Sequence, residues 1–208
     1  MDIHIIAAVA RDGAIGQAGR LPWPPLRTDN AWFYSLTRAQ QPELLARFYC
    51  QDAASVGIRP FVVDRYRLNA VIMGRKTCQS LSSDLSGRAN VVLTDRPCQG
   101  IQTAPTLRLA LCWAQRLGCP HAFLIGGACV FAEALALPQK PPLYLTEIDA
   151  DYPEASTFWP VPRCQIDLRG GAMEIGDRIY VRQSASAWIE EPGCPRYRFG
   201  LWLGFWPE

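Results

Sequence analysis

The chain has 208 residues, of which 49% are hydrophobic and 19% charged. That is enough for one substantial core and matches an ordinary globular protein rather than a disordered one. The formal net charge of +2 is small and the basic residues are scattered, which argues against nucleic-acid binding but leaves room for a small anionic ligand.

Asp2 and His4 interrupt the apolar start, and Arg11 and Asp12 close it. The later apolar stretch at 121–138 carries Gly126, Gly127 and Glu133. Neither pattern fits a secretory signal or a membrane span, so a cytoplasmic location is expected. Residues 3–9, rich in β-branched side chains and ending at Arg11-Asp12-Gly13, predict a buried strand followed by a loop. Gly13, Gly16, Gly19, Pro22, Pro24 and Pro25 make that loop long. A helix is predicted from Thr28 or Asp29, with Ala31, Trp32, Phe33 and Leu36 on its apolar face.

Residues 38–68 contain Pro42, Gly57 and Pro60 and show no sustained periodicity beyond a turn or two around Leu44, Leu45 and Phe48. They read as a surface insertion. Beyond them the rhythm is regular: strands at 70–73, 89–93, 122–125 and 143–148 alternate with helices after Gly74, at 107–117 and at 129–135. This predicts a single α/β domain over 1–208, with a mainly parallel central sheet and flanking helices. Residues 179–182 and 196–202 are expected to add an antiparallel strand pair at its C-terminal edge.

The eight cysteines form no C-x-x-C pair, and the two histidines, His4 and His121, are far apart in sequence, so no metal site is expected. The thiols read as reduced, several of them buried as small hydrophobes.

In open α/β sheets ligands bind beyond the carboxyl ends of the strands, and two junctions there suit phosphate. At Gly74-Arg75-Lys76-Thr77 a glycine permits close approach, two cations supply charge, and a threonine offers a hydroxyl at a helix start. At Gly126-Gly127-Ala128 small residues leave backbone N–H groups bare. Glycine after a strand is commonly only a turn; two such junctions in one sheet, one of them basic, point to a dinucleotide across the strand ends. Neither fits the G-x-G-x-x-G or P-loop pattern. Asp29 is the only acid between Asp12 and Glu43, set between Leu21-Pro22-Trp23-Pro24-Pro25-Leu26 and Ala31-Trp32-Phe33. Apolar surroundings raise a carboxyl pKa and suit it to proton transfer near neutral pH, although composition alone favours a helix-capping role.

Taken together these segments resemble dihydrofolate reductase, in order and over most of the chain. Ile6-Ala7-Ala8, Ile15-Gly16 and Leu21-Pro22-Trp23 are similar to the first strand and mobile active-site loop, and Pro22 through Arg27 with Asp29 and Phe33 to the segment carrying the acid. Val71-Ile72-Met73-Gly74-Arg75-Lys76-Thr77 resembles the cofactor junction. Gly87-Arg88, Asn90-Val91-Val92-Leu93, Ile125-Gly126-Gly127 and Leu143-Tyr144-Leu145-Thr146-Glu147-Ile148-Asp149 complete the set.

The resemblance implies hydride transfer from NADPH to C6 of a dihydropterin, with protonation at N5. Asp29 would promote that protonation, with Trp23 and Thr146 positioning water and the carboxylate and Leu21 in the mobile loop. Ile6, Ala8, Asn30, Phe33, Leu81 and Ile125 would line the substrate pocket, and Arg88 would pair with the glutamate α-carboxylate. Ala8, Ile15, Gly16, Gly74, Arg75, Lys76, Thr77, Leu93, Thr94 and Asp95 would meet the cofactor. Gly126, Gly127, Ala128, Cys129, Val130 and Phe131 would cover its pyrophosphate. Dihydrofolate and antifolate inhibitors are the expected small-molecule partners, without nucleic acid or membrane, and the chain is expected to be a monomer.

Four positions depart from the family pattern. Asn30 stands where an apolar residue usually packs on the substrate's linker, and Cys78 where tryptophan is usual. Asp95, followed by Arg96, faces the expected position of the cofactor's 2′-phosphate, so NADPH preference over NADH is expected to relax unless Arg96 compensates. Ser156 replaces a loop aspartate, which is expected to alter closure of the loop at 15–21. Two other readings are a pyrimidinone reductase of riboflavin synthesis, which would need neither the 23–29 segment nor Arg88, and a catalytically weakened folate or cofactor binder.

Overall fold

The computed structural model describes residues 1–51, 68–81, 83–98 and 100–206. Strand β1 (Asp2–Ala10) lies near the middle of a ten-stranded sheet. It is paired in parallel with β6 (His121–Leu124) on one side and β7 (Leu143–Ile148) on the other. Beyond β6 the parallel part continues through β3 (Ala70–Gly74), β4 (Ala89–Leu93) and β5 (Gln102–Ala104). Beyond β7 the sheet turns antiparallel through β12 (Tyr197–Phe205), β11 (Arg178–Ala185), β10 (Ala172–Ile175) and β9 (Ile166–Asp167). The expected mainly parallel sheet with an antiparallel C-terminal edge is present. Its antiparallel side is wider than a pair, because β12 is an interior strand between β7 and β11.

The helices follow the strands as the alternation predicts: α3 (Arg75–Ser80) after β3, α4 (Leu107–Arg116) before β6, and α5 (Ala128–Leu135) after it. Thr106 caps α4 by accepting the Leu109 N–H. Helix α1 (Arg27–Leu36) begins slightly earlier than predicted, with Leu26 at its cap position and Trp32 and Leu36 buried. Asp29 is therefore the third helical residue and not the cap.

A correction concerns 38–68. Helix α2 (Pro42–Gln51) buries Leu45, Ala46, Tyr49 and Cys50 against the β11–β12 face. The spacing i, i+1, i+4, i+5 is one helical stripe, masked in the sequence by the irregular residues that follow. The Leu45, Ala46, Tyr49 and Cys50 face of α2 thus belongs to the core. The remainder of that stretch, 52–67, lies outside the described residues.

Strand β7 is buried along its whole length, yet it carries Thr146 and Glu147. A strand covered on both faces tolerates polar side chains only when each is paired. Glu147 accepts from Arg182 Nη1 at 3.1 Å, Arg198 Nε at 2.8 Å and Trp202 Nε1 at 3.0 Å. Gly200 makes room for this cluster: a Cβ there would lie 2.7 Å from Glu147 Oε1 and 2.8 Å from Trp202 Nε1. Thr146 is paired on the other face, with Asp29.

All eight cysteines are free, with Cys50 and Cys119 buried, as the reading of reduced thiols requires. The β1–β6 register pairs Asp2 with His121, and His4 and His121, 117 positions apart, come within 3.1 Å. Burial, and then the neighbouring His121, push His4 down to about 3. Among the described residues no helix is long and apolar enough to cross a membrane.

If α2 is core, Leu45→Ala costs about 2–4 kcal/mol in denaturant unfolding, whereas its exposed neighbour Leu44→Ala stays within roughly 0.5 kcal/mol. Equal effects would contradict the packing of α2.

Candidate active site

The site lies where the parallel strands end at their carboxyl sides. Ala8 on β1 faces Thr146 on β7 in register, with Ile6 one pleat earlier and Ile125 just beyond β6. Against this surface α1 presents Asp29. The Thr146 hydroxyl donates to Asp29 Oδ1 at 2.5 Å, tying helix to sheet. Trp23 is buried and packs against Tyr152, ring centroids 5.5 Å apart, and its indole N–H has no hydrogen-bond partner among the described residues. The indole N–H groups of buried Trp32 and Trp159 are likewise without a partner among the described residues. Phe33 and Leu81 are half-buried against the core cluster that holds Trp23 and Trp32, while Leu21 and Asn30 are exposed.

The residue that sequence reasoning missed is Glu191. Helix α1 has no side-chain cap of its own. Instead Glu191 accepts the N–H groups of Arg27 and Thr28, each at 2.9 Å, and the Tyr197 hydroxyl at 2.5 Å. Burial works against its carboxylate, but these bonds outweigh burial and hold its pKa down to about 2. No local signal marks Glu191, because it acts across 163 positions. Its charge caps the first turn of α1, the turn that carries Asp29. Burial first, and Glu191 in addition, raise Asp29 from 3.8 to about 6 against the opposing Thr146 bond. The carboxyl group thus exchanges its proton close to neutrality.

Arg88 is also buried. Its Nη1 donates to the Thr37 hydroxyl at 2.9 Å and its Nε to Ser86 O at 3.2 Å, and its guanidinium lies 5.9 Å from the Phe33 ring centroid. Burial, then neighbouring Arg38, lower it to about 10, so it stays charged. Among the described residues it has no carboxylate partner at ion-pair distance. Thr37 is a second partner invisible to sequence reasoning.

The two glycine junctions form one cradle. Gly74 N–H donates to Gly126 O at 2.7 Å, joining the ends of β3 and β6. A Cβ on Gly126 or Gly127 would lie 3.5 Å from Thr77 Oγ1. Gly127 caps α5 without a side-chain bond, so the first-turn N–H groups from Ala128 onward receive no side-chain cap from it. Arg75, Lys76 and Cys129 are exposed around this cradle, and Leu93 ends the adjacent strand β4, with Thr94 and Asp95 just beyond it. The Thr94 hydroxyl accepts the Arg96 N–H at 3.1 Å, and Asp95 and Arg96 are exposed. The side chains of Val130 and Phe131 turn inward, Phe131 against Trp159 at 4.9 Å, so they brace the cradle from beneath.

Ile15 and Gly16 belong to β2 (Ala14–Gly16), which pairs with β8 (Thr157–Phe158). Ser156 donates its N–H to Gly16 O at 3.0 Å and accepts the Ala18 N–H at 3.1 Å. The loop is thereby stitched down by a neutral hydroxyl.

Asp29 and the glycine cradle thus both lie at the carboxyl edge of the parallel strands of an α/β sheet. The family model described as dihydrofolate reductase matches residues 67–166. A type 3 dihydrofolate reductase of Salmonella typhimurium is 33% identical over 153 residues, 72% of this chain and 74% of that protein. The dihydrofolate reductase of Sus scrofa is 29% identical over 80% of this chain and 81% of its own. A bifunctional dihydrofolate reductase-thymidylate synthase of Glycine max is 32% identical over 76% of this chain, which spans 28% of that longer protein. The chain belongs to the dihydrofolate reductase family.

Carbon-13 NMR of the Asp29 carboxyl group should show a midpoint near 6. Thr146→Val removes the bond that lowers it and moves the midpoint up; Glu191→Gln removes a neighbouring charge and moves it down. Because the folded value exceeds the unfolded one, stability falls as pH rises from 3.8 to about 6 and the full penalty stands above that window. Asp29→Asn is therefore expected to melt higher than the unmodified chain at pH 7, and an unchanged or lower Tm would contradict the shift.

Proposed function

We propose that the chain reduces dihydrofolate to tetrahydrofolate with NADPH, and that Asp29 promotes protonation at N5. The observation that carries this reading is the Asp29–Thr146 bond at the sheet's carboxyl edge, with Asp29 raised to about 6. The family membership supplies the reaction class. The Gly74–Gly126 cradle, with Arg75 and Lys76 exposed beside it, fits a dinucleotide phosphate chain. When bound there, the nicotinamide cofactor supplies the hydride to C6.

This chain's own residues do the rest. Asp29 binds the amino-pyrimidine edge of the pterin and feeds a proton toward N5 through water oriented by the unpartnered Trp23 indole N–H. Thr146 fixes the carboxyl rotamer. Ile6, Ala8 and Ile125 exclude bulk water around the ring, which strengthens the polar contacts inside. Phe33 and Leu81 pack the benzoyl portion, with exposed Asn30 beside it; Asn30→Leu is expected to tighten antifolate inhibitors. Arg88, held by Thr37 and lacking a carboxylate partner among the described residues, takes the glutamate α-carboxylate. Leu21 and the loop held by Ser156 close over the cofactor side.

Loss of NADPH absorbance on adding dihydrofolate tests the activity, and no loss overturns it. Asp29→Asn should lower kcat/KM roughly 10²–10⁴-fold at neutral pH and recover as the substrate is protonated at low pH. Full neutral-pH activity in that variant removes Asp29 as the acid. Asp95→Ser should raise NADPH efficiency relative to NADH by about fivefold, the scale of one exposed charge pair. An unchanged ratio means Arg96 already offsets Asp95.

A further inference from the structure

The chain's two histidines, His4 and His121, meet at the amino ends of β1 and β6. Ala8, which faces Thr146, lies four residues further along β1, roughly 13 Å away at strand rise, so this cluster is separate from the acid site. His4 Nε2 is 3.1 Å from His121 Nδ1, and His121 Nδ1 is 3.6 Å from Asp2 Oδ2. Among the described residues it is the one group of three His, Cys, Asp or Glu side chains whose ligand atoms all lie within 4.8 Å of one another.

The outer nitrogens are already anchored. His121 Nε2 lies 2.9 Å from the Gln40 carbonyl, an acceptor only, so this nitrogen carries the proton and Nδ1 offers a lone pair inward when the ring is neutral. His4 Nδ1 lies 3.2 Å from the Tyr144 hydroxyl, which can donate or accept. With the proton of His4 on Nε2, the two rings share a hydrogen bond. With it on Nδ1, donating to Tyr144, His4 Nε2 and His121 Nδ1 both carry lone pairs and lie, with an Asp2 carboxylate oxygen, within 4.8 Å of one another. Two imidazole nitrogens on one tetrahedral zinc ion sit roughly 3.3 Å apart, close to the spacing present here. Backbone and hydroxyl partners on the far nitrogens are the supports that orient metal-bound histidines.

We propose that Asp2, His4 and His121 form a site for a divalent transition metal of the zinc class, with two imidazoles and one carboxylate as ligands. Both rings are buried while the Asp2 side chain is 75% exposed, so the ion enters from the Asp2 side and keeps water on its remaining positions. Bound there, it clamps β1 to β6 and, through Gln40, to the turn after α1. The site acts on stability and does not depend on the reductase reading.

Cobalt(II) titration of the full chain tests it. The expected result is a visible d–d band of a four- or five-coordinate ion, without a thiolate charge-transfer band, displaced by zinc, together with a higher Tm in zinc that EDTA reverses. Asp2→Asn, at a side chain that is 75% exposed, should weaken binding by about tenfold or more with the metal-free Tm unchanged, and His121→Gln should abolish the band. No band, a band with thiolate character that survives both substitutions, or equal affinity in Asp2→Asn and the unmodified chain would overturn the proposal.

Discussion

A carboxylic acid in an apolar wall is stable only if something specific holds it, and here that is the hydroxyl of Thr146 on a strand buried from end to end. The bond has two effects that pull in opposite directions. It fixes Asp29 against the carboxyl edge of the sheet, and it favours the ionised form. Burial and the charge of Glu191 favour the protonated form and win, leaving the group near 6. A carboxyl with no such bond would be held more weakly and titrate higher; one in water would be permanently ionised at neutral pH. Proton exchange near neutrality requires this intermediate degree of support.

The glycine cradle follows from the same sheet. Parallel strands end together, so the backbone at Gly74 and Gly126 meets at 2.7 Å, a stretch of surface away from Asp29 along the same edge. Crossover helices begin there with unsatisfied N–H groups, which favours anions. Val130, Phe131 and Trp159 fill the space below and make the cradle rigid. Asp29's seat and the glycine cradle are thus two products of one topology, one at the paired ends of β1 and β7 and the other at the paired ends of β3 and β6.

Features encoded in contiguous residues were legible before the structure: the alternating strands and helices, the two glycine junctions, and an isolated acid among tryptophans and prolines. Each rests on local geometry. What stayed hidden depends on contacts made across the fold. Glu191 caps a helix 163 positions away, Thr37 supports Arg88 from another element, and His4 meets His121 only because β1 and β6 are neighbours. Helix α2 was hidden for another reason: its single buried stripe is short and runs into residues without periodicity. The capping role that composition alone favours for Asp29 is filled instead by the remote Glu191 carboxylate.

These remote contacts on α1 converge on one strand pair. Phe199 on β12 is the register partner of Thr146 on β7, and it also receives Trp32 of α1, centroids 4.0 Å apart. Glu191 precedes β12 and is bound by Tyr197 within it. The helix carrying the acid is therefore held at its first turn, its middle and its functional residue by β7, β12 and the segment leading into β12. On the opposite face the same two strands are locked by Glu147 with Arg182, Arg198 and Trp202, in a cluster that closes only because residue 200 is glycine. A buried charge of that kind is stable while every partner remains, and strongly destabilising once one is removed. Damage to the Glu147 cluster is accordingly felt at Asp29 without touching it, since the strand that positions Thr146 is the strand that bears Glu147. The antiparallel flank is thus more than a cover for the sheet edge: it is the frame against which the acid is set.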